Sequence, residues 1–196
     1  MSKIYLIRHG ANDCLGKSIA GRQAGVHLNA SGQKQAARLA EHLQSAGISQ
    51  IYSSPLERSR ETAQPLAAKM HLEIQIADEL DELQFGEWNG ATLEELNRQE
   101  HWRKWNNFRS GTRIPGGEMM IEAQQRMIGF IQSLSEDYAD ETLALFSHGD
   151  PIRAALAYYL GIPLDFLLRF EVDPASINIL TLSGHAPVVH CINQQC

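Results

Sequence analysis

The sequence has few of the features that mark membrane proteins or disulfide-rich secreted proteins. No apolar run approaches the roughly 20 residues that a membrane-spanning helix needs. The apolar residues 4–7 lead directly into a charged residue, unlike the core of a secretory signal. The three cysteines, Cys14, Cys191 and Cys196, show no CxxC spacing. We therefore expect a cytoplasmic protein without a membrane partner.

Positive charge is also scarce. The 196 residues include 17 Lys and Arg against 23 Asp and Glu, which gives a formal net charge of −6 at pH 7. No basic cluster offers the electrostatic surface that a nucleic acid requires, so no nucleic-acid partner is expected. An anionic ligand would need a local positive site. The length and the 43% hydrophobic content predict one domain over residues 1–196.

Short apolar runs alternate with helical patterns along the chain, which predicts an α/β fold. Strands are predicted at residues 3–7, 51–53, 72–77 and 142–148. Helices are predicted at residues 31–46, 54–70, 118–136 and 150–160. Two further strands, at 177–182 and 188–192, are predicted to form a hairpin about a turn at Ser183-Gly184.

Two patterns of the form Ser/Thr-x-x-Glu predict helix N-termini stabilised by capping boxes. The first joins Ser54 to Glu57, with Pro55 at the first helical position. The second joins Thr92 to Glu95. Each pattern therefore predicts that its Ser or Thr hydroxyl is used by the adjacent helix.

The stretch from 81 to 118 is the least regular part of the chain. It holds all three tryptophans, Trp88, Trp102 and Trp105, and ends in the motif PGGE. Long irregular segments inside compact domains are usually functional. We interpret residues 84–118 as a lid-like insertion in the domain.

Two predicted strands end in the same dipeptide. Residues 4–10 read IYLIRHG and residues 143–149 read LALFSHG, so His9 and His148 each follow an apolar run and precede a glycine. Ligand sites in α/β sheets lie outside the carboxyl ends of the strands, which places both imidazoles at one edge. Gly149 also precedes a helix N-terminus, where anions are favoured.

Two arginines at the same edge favour an anion over a metal ion. Arg8 precedes His9, and Arg58 lies in the first turn of the helix after the second strand. His9, His148 and Glu82 could also form a two-histidine, one-carboxylate metal site. Fixed cations would repel a divalent ion there, whereas arginine suits bidentate contacts with phosphate. The pattern predicts a phosphate pocket.

Five motifs occur in order: LIRHG, SSPLERSRETA, LDELQFGEWNG, PGGE and SHGDPIR. Together they resemble the histidine phosphatase superfamily, the phosphoglycerate mutase-like proteins, over roughly residues 3–182. Within it, FGEWNG and the short length resemble the small broad-specificity and α-ribazole phosphatases. The resemblance implies a three-layer α/β/α sandwich with a mostly parallel central sheet. It also implies metal-independent hydrolysis of small phosphomonoesters through a phosphohistidine, with no cofactor.

The resemblance assigns roles to particular residues. It implies that His9 is the nucleophile and that Glu82 is the general acid and base. It implies that Arg8, Arg58 and His148 hold the phosphate and that Arg22 makes a further contact with phosphate or substrate. Asn12 departs from the residues common in the family but can donate to a phosphate oxygen, and Gly149 lets backbone N–H groups approach the substrate. The expected partner is a small phosphorylated metabolite, bound by a monomer or a homodimer.

Alternative functions remain compatible with the motifs. A cofactor-dependent phosphoglycerate mutase-type phosphotransferase, which needs a bisphosphate primer, would use the same nucleophile. Many mutases, however, have asparagine where this chain has Leu15. Asp150 also departs from the glycine or similar residue that commonly follows SHG. A non-catalytic phospho-ligand binder would not need an acid such as Glu82, so it is the weaker alternative.

Overall fold

Six strands form one sheet in the computed structural model, which describes residues 1–183 and 186–196. They are β1 (Ser2–Arg8), β2 (Gln50–Ser53), β3 (Ile74–Ile76), β4 (Thr142–Ser147), β5 (Ile177–Leu182) and β6 (Val188–Gln194). Their order across the sheet is β3-β2-β4-β1-β5-β6. The first four in this order pair in parallel, whereas β5 pairs antiparallel with both of its neighbours, β1 and β6. The mostly parallel sheet and the terminal hairpin are confirmed, while Gly184 of the predicted turn lies outside the described residues.

Helices cover both faces of the sheet. The α-helices are α1 (Ala30–Leu43), α2 (Glu57–Met70), α3 (Leu93–Asn97), α4 (Glu100–Asn107), α5 (Met120–Asp137) and α6 (Gly149–Leu160). Side chains alternate between faces along a strand, so Ala144 and Phe146 contact the α1 and α2 side, whereas Leu143 and Leu145 contact the α5 and α6 side. The three-layer sandwich predicted from the motifs is therefore confirmed.

The capping pattern at Ser54 was misread from the sequence. Helix α2 begins at Glu57, and its N-cap residue Leu56 makes no side-chain capping bond. The Ser54 hydroxyl accepts from the Leu56 N–H at 3.3 Å, and it also contacts His148 and Asp81, which lie on other segments. The second pattern is confirmed, because Thr92 and Glu95 form a reciprocal capping box at the start of α3.

Residues 84–118, here called the cap segment, carry their own apolar cluster. Trp102 stacks on Trp105 at a centroid distance of 5.3 Å, and both pack near Trp88. The cluster continues onto α6 through Ala154 and Ala157, so the cap segment is packed on the sandwich. No helix in the described part of the chain is long and apolar enough to cross a membrane.

Candidate active site

A cavity of about 190 Å³ lies where the carboxyl ends of β1 and β4 meet the start of α2. It is lined by six of the residues predicted from the sequence, namely Arg8, His9, Asn12, Arg58, Glu82 and Gly149. His148 is fully buried beside the cavity, with its ring centroid 5.1 Å from that of His9. The strand-end geometry therefore brings residues far apart in sequence around one space.

The ring of His9 is held in one tautomer. Its Nδ1 lies 2.7 Å from the carbonyl oxygen of Gly10. Because a carbonyl only accepts hydrogen bonds, Nδ1 must carry the proton and Nε2 must carry a lone pair. Burial, reinforced by the charges of Arg58 and Arg8, holds the pKa of His9 well below its ordinary value. The imidazole is therefore neutral near pH 7, as a nucleophile requires.

The two arginines have buried donors that no protein group satisfies. Arg8 donates through Nη1 to the Val172 carbonyl at 2.6 Å, and Arg58 donates through Nη2 to the Gly21 carbonyl at 2.7 Å. Within the described residues, Arg8 Nε and Arg58 Nε and Nη1 are buried without a partner. Leaving such cationic donors unpaired is costly, and phosphate oxygens would satisfy them.

His148 is held in the opposite tautomer. Its Nδ1 lies 3.2 Å from Arg58 Nη2, which can only donate, so Nδ1 accepts. The proton is therefore on Nε2, which donates to Ser54 Oγ at 2.8 Å. Ser54 in turn donates to Asp81 Oδ1 at 3.1 Å. Burial and the charge of Arg58 hold the pKa of His148 well below its ordinary value, so this ring is also neutral.

Glu82 follows the 3₁₀ turn Asp78–Leu80 and is desolvated in the cavity wall. Its Oε1 accepts from the Leu83 N–H at 2.9 Å, and its Oε2 lies 3.9 Å from His148 Nδ1. Burial raises the pKa of Glu82 to about 7, Asp150 adds to the shift, and Arg58 opposes it. A carboxyl group that is partly protonated at neutral pH is suited to proton transfer.

The remaining predicted contacts differ in their placement. Asn12 lines the cavity, and its Oδ1 accepts from the Cys14 N–H at 3.0 Å, which leaves its two amide N–H donors for a ligand. A Cβ atom on Gly149 would lie 3.2 Å from the guanidinium carbon of Arg8, so glycine allows this arginine to approach α6. Arg22 is not among the residues that line the cavity in the described part of the chain. Its Nε donates to the Glu82 carbonyl at 2.7 Å.

Two charged residues of the cavity wall were not assigned a role from the sequence. Asp150 accepts from Arg109 of the cap segment at 3.0 Å and lies 3.5 Å from Arg153. Burial would raise the pKa of Asp150, but Arg109 and Arg153 outweigh it and hold that pKa below the ordinary value. Arg153 lies four residues after Gly149, one helical turn along α6, which is the spacing that could have identified it.

The histidine phosphatase superfamily (branch 1) has a family model that matches residues 4–195. The chain belongs to this superfamily. Phosphoserine phosphatase 1 of Hydrogenobacter thermophilus is 30% identical over 100% of this chain and 94% of its own length. The protein named probable phosphoglycerate mutase GpmB of Proteus mirabilis is 35% identical over 91% of this chain and 84% of its own length.

The fold comparison agrees with the sequence comparison. A solved structure from Escherichia coli, provisionally assigned as an alpha-ribazole-5'-P phosphatase, matches with a TM-score of 0.88 at 26% identity. The match covers 98% of this chain and 96% of that chain. These findings confirm the family and the fold predicted from the motifs. Together with the phosphoserine phosphatase relative, they identify the chain as a phosphomonoester hydrolase.

Proposed function

We propose that the protein is a metal-independent phosphatase that hydrolyses small phosphomonoesters through a phosphohistidine on His9. The observation that carries the proposal is the set of buried guanidinium donors, without a partner among residues 1–183 and 186–196, beside the Nε2 lone pair of His9. A phosphate dianion would satisfy these donors and lie next to the nucleophile. The charge developing on its oxygens during transfer would be stabilised by the same arginines.

The first step transfers the phosphoryl group to the protein. The lone pair of His9 Nε2 attacks phosphorus, and the bond between phosphorus and the ester oxygen breaks. Glu82 gives its proton to that oxygen, so the product leaves as a neutral alcohol and Glu82 becomes a carboxylate. His9 keeps its Nδ1 proton, which continues to donate to the Gly10 carbonyl.

The second step returns the protein to its starting state. The Glu82 carboxylate takes a proton from water, and the water oxygen attacks the phosphorus on His9. The bond between Nε2 and phosphorus breaks, and its electron pair returns to Nε2. Inorganic phosphate then leaves. Each group ends in the protonation state in which it began, so no further reactant is needed.

The cavity wall beyond the arginines favours a small substrate. It combines apolar Leu15, Ile19 and Phe85 with polar Ser18 and Asp150. We extend the proposal to a small phosphorylated metabolite, rather than a nucleic acid, as the partner of a cytoplasmic monomer or homodimer. In the same proposal, residues 1–196 form one domain, and the cap segment acts as a lid that contributes to specificity.

A second candidate is a phosphotransferase of the mutase type, which the 35% identity to the Proteus mirabilis relative favours. It would use the same first step. In place of water, a second hydroxyl of the substrate would take the phosphoryl group. The two candidates therefore differ in where the phosphate goes: into solution, or onto another position of the same molecule.

The test measures release of inorganic phosphate from phosphoserine, 3-phosphoglycerate and p-nitrophenyl phosphate, with and without a chelator. Wild type and His9→Ala are compared. We expect release that the chelator does not change and that His9→Ala abolishes. Loss of release on chelation would overturn the metal-independent mechanism. Conversion of 3-phosphoglycerate to its 2-phospho isomer without phosphate release would identify the mutase instead.

A further inference from the structure

Glu82 lies in a loop, where an acid is harder to hold in place than on a helix or strand. The residues between the 3₁₀ turn Asp78–Leu80 and the next turn, Gly86–Trp88, form no regular element. The backbone of this loop is instead held by long side chains from two other segments. One of these segments is the loop around residue 22, and the other is helix α5.

Two arginines donate to the backbone carbonyl groups of Glu82 and of the residue before it. Arg22 Nε donates to the Glu82 carbonyl at 2.7 Å and lies 3.2 Å from Asp81 Oδ2. Arg126 on α5 donates through Nη1 to the carbonyl of Asp81 at 2.8 Å and to that of Glu79 at 2.7 Å. The backbone at Glu82 is therefore restrained from two directions.

Glu118, the last residue of the PGGE motif, joins these arginines to the loop. Its Oε1 lies 3.1 Å from Arg126 Nη2 and 3.4 Å from Arg22 Nη2. The same oxygen accepts from the Gln84 N–H at 2.9 Å, and the Glu118 N–H donates to the Gln84 carbonyl at 3.0 Å. Only 14% of the Glu118 side chain is exposed, so solvent screens these interactions weakly.

The glycine before Glu118 makes this approach possible. A Cβ atom on Gly117 would lie 2.1 Å from the Gln84 carbonyl oxygen, closer than any side chain allows. In the same way, a Cβ atom on Gly86 would lie 2.2 Å from the Pro115 carbonyl oxygen. The motif PGGE and the Phe85-Gly86 pair therefore fit against each other at backbone level, although neither Glu118 nor Gly117 lines the cavity.

We propose that Glu118, Arg22 and Arg126 form a clamp that positions Glu82 for proton transfer to the leaving group. These are positioning residues, because they act through the Glu82 loop. The inference rests on the proposed function, since it assumes that Glu82 is the acid. It also gives Arg22 a different role from the substrate contact that the motifs implied.

The clamp can be tested by its dependence on the leaving group. p-Nitrophenolate leaves readily without a proton, whereas the serine alkoxide of phosphoserine needs one. General acid catalysis contributes about 10²–10⁴-fold, and a displaced acid loses part of it. The parameter compared is kcat/KM, which reports the first step alone, because the second step is the same for both substrates. We expect Glu118→Ala to lower kcat/KM for phosphoserine at least about tenfold more than kcat/KM for p-nitrophenyl phosphate. Glu118→Gln, which keeps an oxygen acceptor, should show a smaller change in the same ratio.

Arg22 and a neighbouring ion pair supply the controls. Arg22→Met should reproduce the selective loss if it belongs to the clamp, whereas a phosphate contact would raise KM equally for both substrates. Glu122, in the first turn of α5, forms an exposed ion pair with Arg113. Glu122→Gln removes the charge of this glutamate and should leave the ratio unchanged.

Outcomes for the clamp and for the proposed function are separable. Equal losses of kcat/KM for both substrates in Glu118→Ala, Glu118→Gln and Arg22→Met, with melting temperatures near wild type, would overturn the clamp. Full phosphate release by His9→Ala would instead overturn the phosphohistidine mechanism. If Glu118→Ala does not fold, the ratio of the losses for the two substrates is measured in Glu118→Gln and Arg22→Met.

Discussion

The two His-Gly pairs look alike in the sequence but are held in opposite ways. His9 donates through Nδ1 to a carbonyl one residue away, which leaves Nε2 free at the cavity. His148 accepts at Nδ1 from Arg58 and donates through Nε2 to Ser54, 94 residues away. The hydrogen-bond partners of each ring, rather than the shared motif, therefore separate the proposed nucleophile from a ring that is bonded to Arg58.

The largest expected difference between the histidines is in covalent chemistry. His9→Ala should lower kcat by more than about 10⁴-fold, because no other group can form the intermediate. His148→Ala should lower it by about 10²–10³-fold, because Arg58 loses the acceptor that holds its guanidinium in place at the cavity. Rapid quenching in alkali with labelled substrate should trap phosphoprotein in His148→Ala and none in His9→Ala. Labelling of both variants would mean that the roles are not separated in this way.

The pH dependence of the activity should report the titration of Glu82, because His9 stays neutral over the range measured. Glu82 must be protonated for the first step, so kcat/KM for phosphoserine should fall about tenfold per pH unit above its pKa of about 7. The substrate phosphate is already a dianion above about pH 6. His9, whose pKa lies well below its ordinary value, should add no fall on the alkaline side. A flat profile between pH 7 and about pH 9 would contradict the role of Glu82.

Ser54 distinguishes the two histidines further, because its hydroxyl bonds the ring of His148 and not that of His9. Ser54→Ala leaves the His148 Nε2–H and Asp81 without their shared partner, which should cost about 1–3 kcal/mol of unfolding free energy. We expect kcat to fall by about tenfold, because the ring keeps its tautomer through Arg58 but loses the partner that fixes its orientation at Nε2. Ser53→Ala is the matched control: Ser53 is equally buried but bonds Ser54 carbonyl and Ser59. Equal kcat losses in both variants would indicate a general packing effect.

The smallest effects should come from the two glycines that follow the histidines. A Cβ atom on Gly10 would lie 2.9 Å from the backbone oxygen of Gly32 in α1, so Gly10→Ala should lower the melting temperature. On Gly149 it would lie 3.2 Å from the Arg8 side chain, so Gly149→Ala should raise KM a few-fold with little loss of stability. Thermal melts and steady-state kinetics separate the two cases. An unchanged KM in Gly149→Ala would show that the Arg8 side chain moves away from the added Cβ atom without loss of binding.

The sequence predicted the sheet and the convergence of residues because strand ends follow simple rules. His9, His148 and Arg58 each lie within a few residues of a strand that the pattern identifies. Ser54 was assigned to a helix cap because the same Ser-x-x-Glu spacing fits a capping box. Besides the nearby Leu56 N–H, its partners are His148 and Asp81, which belong to other segments, and local patterns carry no information on such contacts. The partners of Arg22 were missed for the same reason.

The sheet order also sets when activity can arise during synthesis. Strand β1 is made before both of its partners, β4 and β5, which lie far along the sequence from it. Until both emerge, β1 keeps unpaired edges of the kind that favour aggregation. The pairing of Arg8 with Ser147 along β1 and β4 is also what brings His9 beside His148. Phosphatase activity should therefore return only when β1 has paired with β4 and β5, which is a late, long-range step of refolding. Recovery of activity would then report that this pairing is complete.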